Sequence, residues 1–398
     1  MDMHAHDSPP GLDIERINAG TEAVVAIAAQ HAAAVDRDSR FPDAAIAAAK
    51  QHRLLGIQVP QRIGGEGAGL SDIVQVCYRL GRVCASTAMI YAMHQIKVAC
   101  ILRHSHESAW HAAMLRRLCA EQLLLASSTT EGAGGGNVRS SEAPVEREGS
   151  KITLLRRATV MSYGAEADGI VTTARRSADA AASDQVLVVF LKNDYSLEPL
   201  VTWDTLGMRG TSSTGYVIRA LGAADQILPD PYEKIHAETM VPFAHLTWSS
   251  VWTGIAAGAL ERAQAFLRHA ARQSGGPLPP GAAHFTRASA TLRTLRGLLA
   301  SSIRSFEDIQ HDGQALRTMD FQMMINVTKV EASELAVSIV LSALRACGLS
   351  GYRNDGDFSV VRSLRDVLSA PIMINNDRIL TNLAATSLMT SIPHSIVE

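Results

Sequence analysis

The stretch Thr130-Glu131-Gly132-Ala133-Gly134-Gly135-Gly136-Asn137 follows a short apolar run, and it decides between two fold classes. A dinucleotide-binding fingerprint needs a helix directly after its glycines, with the helix N-terminus on the pyrophosphate. Residues 137–148 contain Arg, Ser, Pro and Glu without an apolar helical face, so this fingerprint is disfavoured. Two interpretations remain: a turn whose backbone amides meet the polar edge of a ligand, and a flexible surface turn.

Short apolar or β-branched runs surround this turn, and Gly, Asp, Ser and Pro separate them. The predicted strands are Leu123–Ser127, Lys151–Leu155, Gly169–Thr173, Gln185–Leu191 and Gly215–Ile218. The absence of helical patterns between them is typical of antiparallel β-structure. The middle of the chain is therefore predicted to be an antiparallel β-sandwich or barrel.

Helical periodicity dominates on both sides of this β-region. The predicted helices are Ala23–Val35, Ala44–Leu55, Ser71–Cys84 with Ser71 as N-cap, Ser86–Leu102, Thr247–Arg272, Ala288–His311, Asp320–Cys347 and Pro371–Met389. The last four suit an up-and-down four-helix bundle. We predict an α+β protein with a disordered tail (1–14), an N-terminal helical domain (15–122), a middle β-domain (123–232) and a C-terminal helical bundle (233–398).

Charge and cysteine content limit the partners and the compartment. The 398 residues include 37 Lys and Arg against 39 Asp and Glu, which predicts neither a nucleic-acid nor a membrane partner. The five cysteines have no CxxC spacing, and the start MDMHAHDSPPG lacks the apolar core of a signal peptide. We therefore expect reduced thiols and a cytoplasmic location.

Histidines at positions 104, 106 and 111 lie close together in the sequence and could suggest a metal site. His106 and His111 are five residues apart, which is a poor spacing for one helical face. A solvated helix start is the preferred interpretation, and no metal site is predicted. No nucleophile elbow and no P-loop occur either, so the sequence gives no support to serine hydrolase or nucleotide-hydrolysing chemistry.

Five motifs, in order, resemble those of the acyl-CoA dehydrogenase superfamily. They are Leu55–Gly67 ("GL…vPeeyGGxG"), Thr130–Val138 ("TEPGAGSDV"), Met161–Asp168 ("ITNGAEAD"), Leu206–Thr211 ("LGxRGS") and Cys347–Tyr352 with Arg362–Asp366 ("GGxGY…R..RDA"). The resemblance covers residues from about 15 to 390. It implies three domains of the kinds predicted above, and FAD as cofactor.

The resemblance also implies which residues meet the flavin. Thr129 and Thr130 would bind the pyrimidine side of the isoalloxazine, and Gly136 belongs to the adjoining glycine turn. Ser162 matches a threonine that faces flavin N5. Val160 stands where many members place an aromatic ring, so a stacking contact is missing and weaker FAD binding is expected.

A second part of the implied FAD site comes from a neighbouring subunit. Arg272 matches an arginine that reaches the partner's FAD pyrophosphate, and Gly348 and Gly351 match a glycine turn near that FAD. A shared site implies a homodimer or homotetramer. The region of Ser86, Met89, Met93 and His94 matches the family's acyl pocket, although Met at helical spacing also suits ordinary core packing.

The catalytic carboxylate that most members use is missing. Desaturation of an acyl thioester needs a base for the α-proton, and a carboxylate with a raised pKa suits this role. The position matching the usual Glu is Ile374 or Asn375, and the position used by a second subgroup is Trp248. His245 and Asp377 are the nearest titratable candidates; a loop residue and a solvated charge are the alternative interpretations of these two.

Three hypotheses follow from the sequence. The first is an FAD-dependent dehydrogenase of acyl thioesters on CoA or on acyl carrier protein, reoxidised by an electron-transfer flavoprotein or a similar acceptor. The second is a monooxygenase of the same fold, which uses reduced flavin and O₂ and needs no α-proton base. The third is a non-catalytic flavoprotein scaffold. The first hypothesis is the preferred one, because it is the commonest activity of the family and the flavin-facing residues are preserved. The missing base and the missing aromatic ring at Val160 favour the second.

Overall fold

The computed structural model describes residues 12–131, 138–389, 392 and 394–395. Its N-terminal part contains helices α1 (Ile14–Arg37), α2 (Asp43–Gln51), α3 (Leu70–Gly81), α4 (Ala85–His104) and α5 (Ala109–Glu121). Four of these overlap the predicted helices, and α5 was not predicted. Ser108 caps α5 by accepting a hydrogen bond from the His111 N–H, which is the standard role of an N-cap serine.

The start of α3 differs from the prediction. Gly69, and not Ser71, is its N-cap, and the Gly69 N–H donates to the Asp72 carboxylate at 2.9 Å. Asp72 therefore occupies the third helical position, where an acidic side chain can reach back to the cap and also suits the positive end of the helix dipole.

Seven strands form two sheets in the middle of the chain. They are β1 (Leu125–Ser128), β2 (Val145–Glu148), β3 (Lys151–Ala158), β4 (Gly169–Arg175), β5 (Gln185–Leu191), β6 (Tyr195–Val201) and β7 (Gly215–Ala223). One sheet has the order β1-β4-β5 and the other has the order β2-β3-β7-β6. The first sheet is buried on both faces along β4 and β5, whereas β3 alternates between exposed and buried side chains.

The predicted fold class is confirmed, with one difference in strand direction. β1 runs parallel to β4, with Leu125 opposite Gly169, while every other pair of neighbouring strands is antiparallel. The chain reaches β4 only after β2 and β3 have formed part of the other sheet, and this long connection permits a parallel pair.

The C-terminal part begins with α6 (Tyr232–Ile235) and a π-helical turn (His236–Met240). It continues with α7 (Val241–Gln273), α8 (Ala282–Ile309), α9 (Gly313–Leu316), α10 (Met319–Cys347), α11 (Leu349–Tyr352), α12 (Val361–Val367) and α13 (Asn376–Met389). Helices α7, α8, α10 and α13 form the predicted bundle, in which α10 packs against the other three. The last helix starts five residues later than predicted, because the segment before Asn376 forms turns.

Two glycines let the N-terminal helices approach the bundle. A Cβ on Gly81 of α3 would lie 2.5 Å from the Val251 carbonyl oxygen of α7, and one on Gly254 would lie 2.3 Å from the Tyr78 carbonyl oxygen. Neither contact is sterically possible, so both positions need glycine. The close crossing of α3 and α7 fixes the N-terminal domain against the bundle.

Within the described residues, α4 is the one helix that is long and apolar enough to cross a membrane by length and composition. In its most apolar window, 89% of the residues are buried inside the protein. This burial is typical of a core helix, as the all-round apolar pattern of Ser86–Leu102 predicts.

Candidate functional site

A chain of three hydroxyl groups lies where the sequence predicts the flavin edge. The Ser162 Oγ is 2.7 Å from the Ser213 Oγ, which is 2.7 Å from the Thr211 Oγ1. The Thr211 hydroxyl donates to the Met208 carbonyl at 2.9 Å. Ser162 follows β3 and is held in place by Tyr163, whose hydroxyl donates to the Leu125 carbonyl at 3.0 Å. The hydroxyl that was expected to face flavin N5 is therefore oriented by a network.

The end of β1 and the two residues after it supply a second group of polar atoms. Thr129 and Thr130 are half-buried. The Ser128 Oγ is buried and has no hydrogen-bond partner among the described residues. A buried hydroxyl without a partner costs free energy unless a ligand satisfies it. These residues fit the polar edge of a flavin; Gly136, predicted to take part, lies outside the described residues.

Asp366 joins the bundle to the loop that contains Met208 and Thr211. Its Oδ1 accepts a hydrogen bond from the Met208 N–H at 2.7 Å, directly next to the hydroxyl chain. Burial raises the pKa of this carboxyl to about 6, although the bond from Met208 and the charge of Arg362 act in the opposite direction. Asp366 belongs to the Arg365-Asp366 pair of the last motif. Its hydrogen bond from the Met208 N–H connects that motif to the loop that carries the hydroxyl chain.

The two positions that match the usual catalytic Glu have structural roles. Ile374 adopts a left-handed backbone conformation with φ of 51°. Asn375 caps α13, since its Oδ1 accepts hydrogen bonds from the N–H groups of Asp377 and Arg378 at 2.8 and 3.3 Å. Asp377 is exposed in the first turn of α13, where a negative charge suits the helix dipole.

Lys329 of α10, which no sequence motif identifies, holds this segment through hydrogen bonds. Its Nζ donates to the Ala370 carbonyl (3.1 Å), the Ile374 carbonyl (2.8 Å) and the Asn376 Oδ1 (2.7 Å). It is fully buried and lies over the ring of Trp252. Burial lowers its pKa to about 7. The sequence feature that could have identified this residue is that Lys329 is the one lysine on the largely apolar helix α10.

His245 and Trp248 lie side by side near the start of α7, with ring centroids 6.1 Å apart. His245 is buried, and burial followed by the charge of Lys329 lowers its pKa to about 3. The His245 Nδ1 and the Trp248 Nε1 are both buried without a hydrogen-bond partner among the described residues. His245 is therefore neutral at pH 7, and it is a weak base there.

The residues expected to act on a neighbouring subunit's FAD lie at one end of the bundle. Arg272 is exposed in the last turn of α7, and Gly348 is exposed after α10 with φ of 55°. The Gly351 N–H donates to the Gly348 carbonyl at 3.1 Å, which closes the predicted turn. Leu349 and Tyr352 beside it are 74% and 70% exposed.

Of the three histidines in the 104–111 segment, His104 and His106 share one protein partner, since the His106 Nε2 lies 3.0 Å from the Asp230 Oδ1. The His104 Nδ1 is 2.8 Å from the Asp230 Oδ2, and its Nε2 is 2.8 Å from the Thr239 Oγ1. The His111 Nδ1 is 2.8 Å from the Ser108 Oγ. Across the described residues, no group of three or more His, Cys, Asp or Glu side chains is arranged to hold a metal ion. The His104–Asp230–Thr239 arrangement is buried and ties α4 to the π-helical turn.

Comparison with known proteins relates this site to one family. The acyl-CoA dehydrogenase N-terminal domain matches residues 18–122, and the acyl-CoA dehydrogenase C-terminal domain matches residues 246–373. The probable acyl-CoA dehydrogenase fadE25 of Mycobacterium leprae is 24% identical, over 85% of each chain. The L-evernosamine nitrososynthase of a Micromonospora species is 25% identical, over 94% of this chain and 88% of the relative.

Solved structures show the same architecture. The FMN-bound TdsC of Paenibacillus sp. A11-2, a protein described as a dibenzothiophene monooxygenase, superimposes with a TM-score of 0.84 at 17% identity. The match covers 95% of this chain and 98% of TdsC. Matches to both family domains, which together span more than half of the chain, show that this protein belongs to the acyl-CoA dehydrogenase superfamily.

Proposed function

We propose that this protein is a flavin-dependent monooxygenase built on the acyl-CoA dehydrogenase fold. The observation that carries the proposal is the lack of a carboxylate base at the site. Ile374, Asn375 and Trp248 occupy the two positions where the family keeps its catalytic Glu. His245 is neutral with a pKa of about 3, and Asp377 is exposed at the start of α13.

The other buried carboxylates of the described residues are already engaged. Glu131 faces Arg156 and accepts a hydrogen bond from the Glu142 N–H, and Glu238 pairs with Arg317. Asp366 accepts the Met208 N–H. Loss of a general base typically costs roughly 10²–10⁴-fold in rate. Oxygenation by reduced flavin and O₂ needs no α-proton base, so the site suits it better than desaturation.

Flavin is the cofactor of this family, and FAD is consistent with the site. When bound, the flavin supplies two electrons, so that one atom of O₂ enters the substrate and the other becomes water. Thr129, Thr130 and the Ser128 hydroxyl would hold its polar edge, and Ser162 would face N5. In this proposal the reduced flavin comes from a separate reductase, and the protein works in the cytoplasm with its five buried thiols reduced.

Dehydrogenation of an acyl thioester is the second candidate function. It is supported by the retained hydroxyl of Ser162 and by the dehydrogenase relatives of similar length. In this case the substrate would be an acyl group on CoA or on acyl carrier protein. An electron-transfer flavoprotein or a similar carrier would accept the electrons.

One paired experiment separates the two reactions. FAD-loaded protein is first mixed with acyl-CoA and acyl-carrier-protein thioesters without oxygen, and the flavin absorbance is followed. Dithionite-reduced protein is then mixed with candidate aromatic and amino-sugar substrates under ¹⁸O₂. We expect no bleaching in the first arm and one ¹⁸O atom in the product of the second. Anaerobic bleaching by a thioester, with no ¹⁸O incorporation, would contradict the monooxygenase proposal.

The proposal includes a homodimer or homotetramer, because Arg272 and the Gly348–Gly351 turn are exposed beside apolar side chains. Leu349 and Tyr352 present large apolar surfaces to solvent, which is costly in a monomer. Changing both to Glu is expected to shift the protein to monomer in sedimentation velocity and to weaken FAD binding. Leu155→Glu on the exposed face of β3 is the matched control. A wild-type monomer that binds FAD fully would rule this assembly out.

A further inference from the structure

The chain formed by Ser162, Ser213 and Thr211 has a direction, because each hydroxyl group carries one hydrogen. Ser213 and Thr211 are 4% and 3% exposed, so water does not compete for their hydrogens. The Thr211 Oγ1 lies 2.9 Å from the Met208 carbonyl oxygen, which can only accept. In this inward direction each hydroxyl donates toward Met208, and the Ser162 Oγ presents a lone pair but no hydrogen to a ligand.

The inward end of the chain is fixed by the bundle. The Met208 N–H donates to the Asp366 Oδ1 at 2.7 Å, and Met208 adopts a left-handed conformation with φ of 54°. A Cβ on the preceding Gly207 would lie 2.1 Å from the Arg365 carbonyl oxygen, so this loop packs directly against α12. These contacts hold the Met208 carbonyl where it accepts the Thr211 hydrogen.

In the outward direction all the hydrogens point the other way. Thr211 donates to Ser213, Ser213 donates to Ser162, and the Ser162 hydrogen is left for a ligand. The Met208 carbonyl stays paired, because it also accepts hydrogen bonds from the Trp203 Nε1–H and the Thr211 N–H, both at 3.1 Å. The chain itself loses one hydrogen bond, since the Ser162 hydrogen then has no acceptor among the described residues. Without a ligand the inward direction is therefore the more stable one.

The two redox states of a flavin differ at N5, the atom that Ser162 is expected to face. Oxidised N5 carries a lone pair and only accepts, whereas reduced N5 carries a hydrogen and donates. Reduced flavin adds a hydrogen bond to the inward chain, because the Ser162 lone pair accepts it. Oxidised flavin needs the outward direction, in which a bond from Ser162 to N5 replaces the bond from Thr211 to Met208. Reduced flavin therefore gains one hydrogen bond more than oxidised flavin.

We propose that Thr211 and Ser213 are positioning residues that hold the Ser162 hydroxyl as an acceptor, so that the site binds reduced flavin more tightly than oxidised flavin. One hydrogen bond corresponds to a preference of about 3–10-fold. The inference deepens the proposed function and rests on its flavin site, since a monooxygenase supplied by a separate reductase must take up the reduced form. It requires Ser162 to face N5 and does not require turnover.

Thr211→Val tests the proposal, because valine has a similar shape and removes one hydroxyl. Ser213 then has no acceptor in the inward direction, and the two directions make equal numbers of hydrogen bonds. We expect oxidised FAD to bind about 3–10-fold more tightly to Thr211→Val than to wild type, and reduced FAD to bind equally well to both. A residue that only supported the fold would lower the affinity for both redox states.

Fluorescence titration would give the dissociation constant of oxidised FAD, and spectroelectrochemistry would give the midpoint potential of the bound flavin. A tenfold change in the affinity ratio of the two redox states corresponds to about 30 mV for two electrons. Thr211→Val should therefore lower the midpoint potential by about 15–30 mV. Ser213→Ala, which breaks the chain at a second point, should lower it as well.

Two variants serve as controls. Thr211→Ser keeps the hydroxyl and should behave as wild type, and Thr153→Val removes an exposed hydroxyl from β3 and should change neither quantity. The proposal is overturned if Thr211→Val leaves the affinity ratio unchanged, if it weakens the binding of oxidised FAD, or if Thr211→Ser gives the same shift as Thr211→Val. Incorporation of ¹⁸O by a protein whose ratio does not change would leave the monooxygenase proposal standing, so the two failures are distinguishable.

Discussion

Lys329→Met is expected to lower the free energy of unfolding by about 3–5 kcal/mol, as is typical when one partner of a buried polar network is removed. All three Nζ–H bonds of Lys329 are used, by two carbonyls and the Asn376 Oδ1. The variant leaves these oxygens buried without donors. The Trp252 ring would also lose its contact with the ammonium group, which lies 5.5 Å from the ring centroid.

The segment that Lys329 holds is strained, which increases the expected effect. Ile374 has φ of 51°, a conformation that is costly for a β-branched residue. Without the lysine, the Ile374 carbonyl loses the donor that holds the backbone in this conformation. Because Ile374 and Asn375 stand at the family's catalytic position, we expect the same variant to weaken substrate binding as well.

Urea denaturation at pH 7 would measure the loss, with Lys151→Met as a surface control that changes stability by less than about 0.5 kcal/mol. Asn376→Leu should cost less than Lys329→Met, since the two carbonyl contacts of the lysine remain. A loss below about 1 kcal/mol for Lys329→Met would show that methionine packs well enough to replace the network.

Local periodicity was sufficient to predict most of the fold. The apolar spacing of the long helices and of the buried strands β4 and β5 is visible in the sequence, and these elements were found. The missed strands β2 and β6 are the two edges of their sheet. β2 reads Val-Glu-Arg-Glu, and β6 contains Pro199 at a register shift. Edge strands tolerate charges and proline, so their patterns do not alternate as those of central strands do.

Candidate site residues could be proposed from the sequence only at positions that match a family motif. The resemblance alone identifies Ser162 and Thr130 as expected flavin contacts, and the structure shows Ser162 in a hydroxyl chain whose other members come from residues 211–213. The buried cations were missed for a different reason. Lys329 finds its acceptors 41–47 residues later in the chain. Arg156 finds Thr173 on another strand. Burial of a charge depends on such long-range contacts, and periodicity does not report them.

Acidification from pH 7 toward pH 4 is expected to unfold the protein, because three histidines are buried in neutral form. His94, His111 and His245 are 0%, 0% and 3% exposed. Burial lowers their pKa values to about 4, 4 and 3, respectively. In the unfolded chain each titrates near its ordinary value of about 6.5. Between these values the unfolded state binds more protons, so stability falls as pH decreases.

The size of the effect follows from the width of that pH interval. Each histidine contributes on the order of 3 kcal/mol at the low-pH limit, and three together approach the typical total stability of a domain. Asp366 acts in the opposite sense, because its pKa is raised to about 6 in the folded state and it takes up its proton there first. Burial also raises the pKa of Glu166. Burial lowers the pKa of His236 to about 4 and lowers that of His104, so the groups that lose stability toward acid still outnumber those that gain it.

Urea denaturation at pH 7, 6 and 5 would test this, with His245→Gln as the variant. Glutamine keeps a donor for the Ile325 carbonyl, which His245 contacts, and cannot take up a proton. We expect wild type to lose stability steeply below about pH 6 and His245→Gln to lose less over the same range. His269→Gln, at an exposed position of α7, is the control and should follow wild type. If His245→Gln and wild type have the same pH slope, then His245 keeps a pKa near its ordinary value in the folded state and could accept a proton as a base near neutral pH.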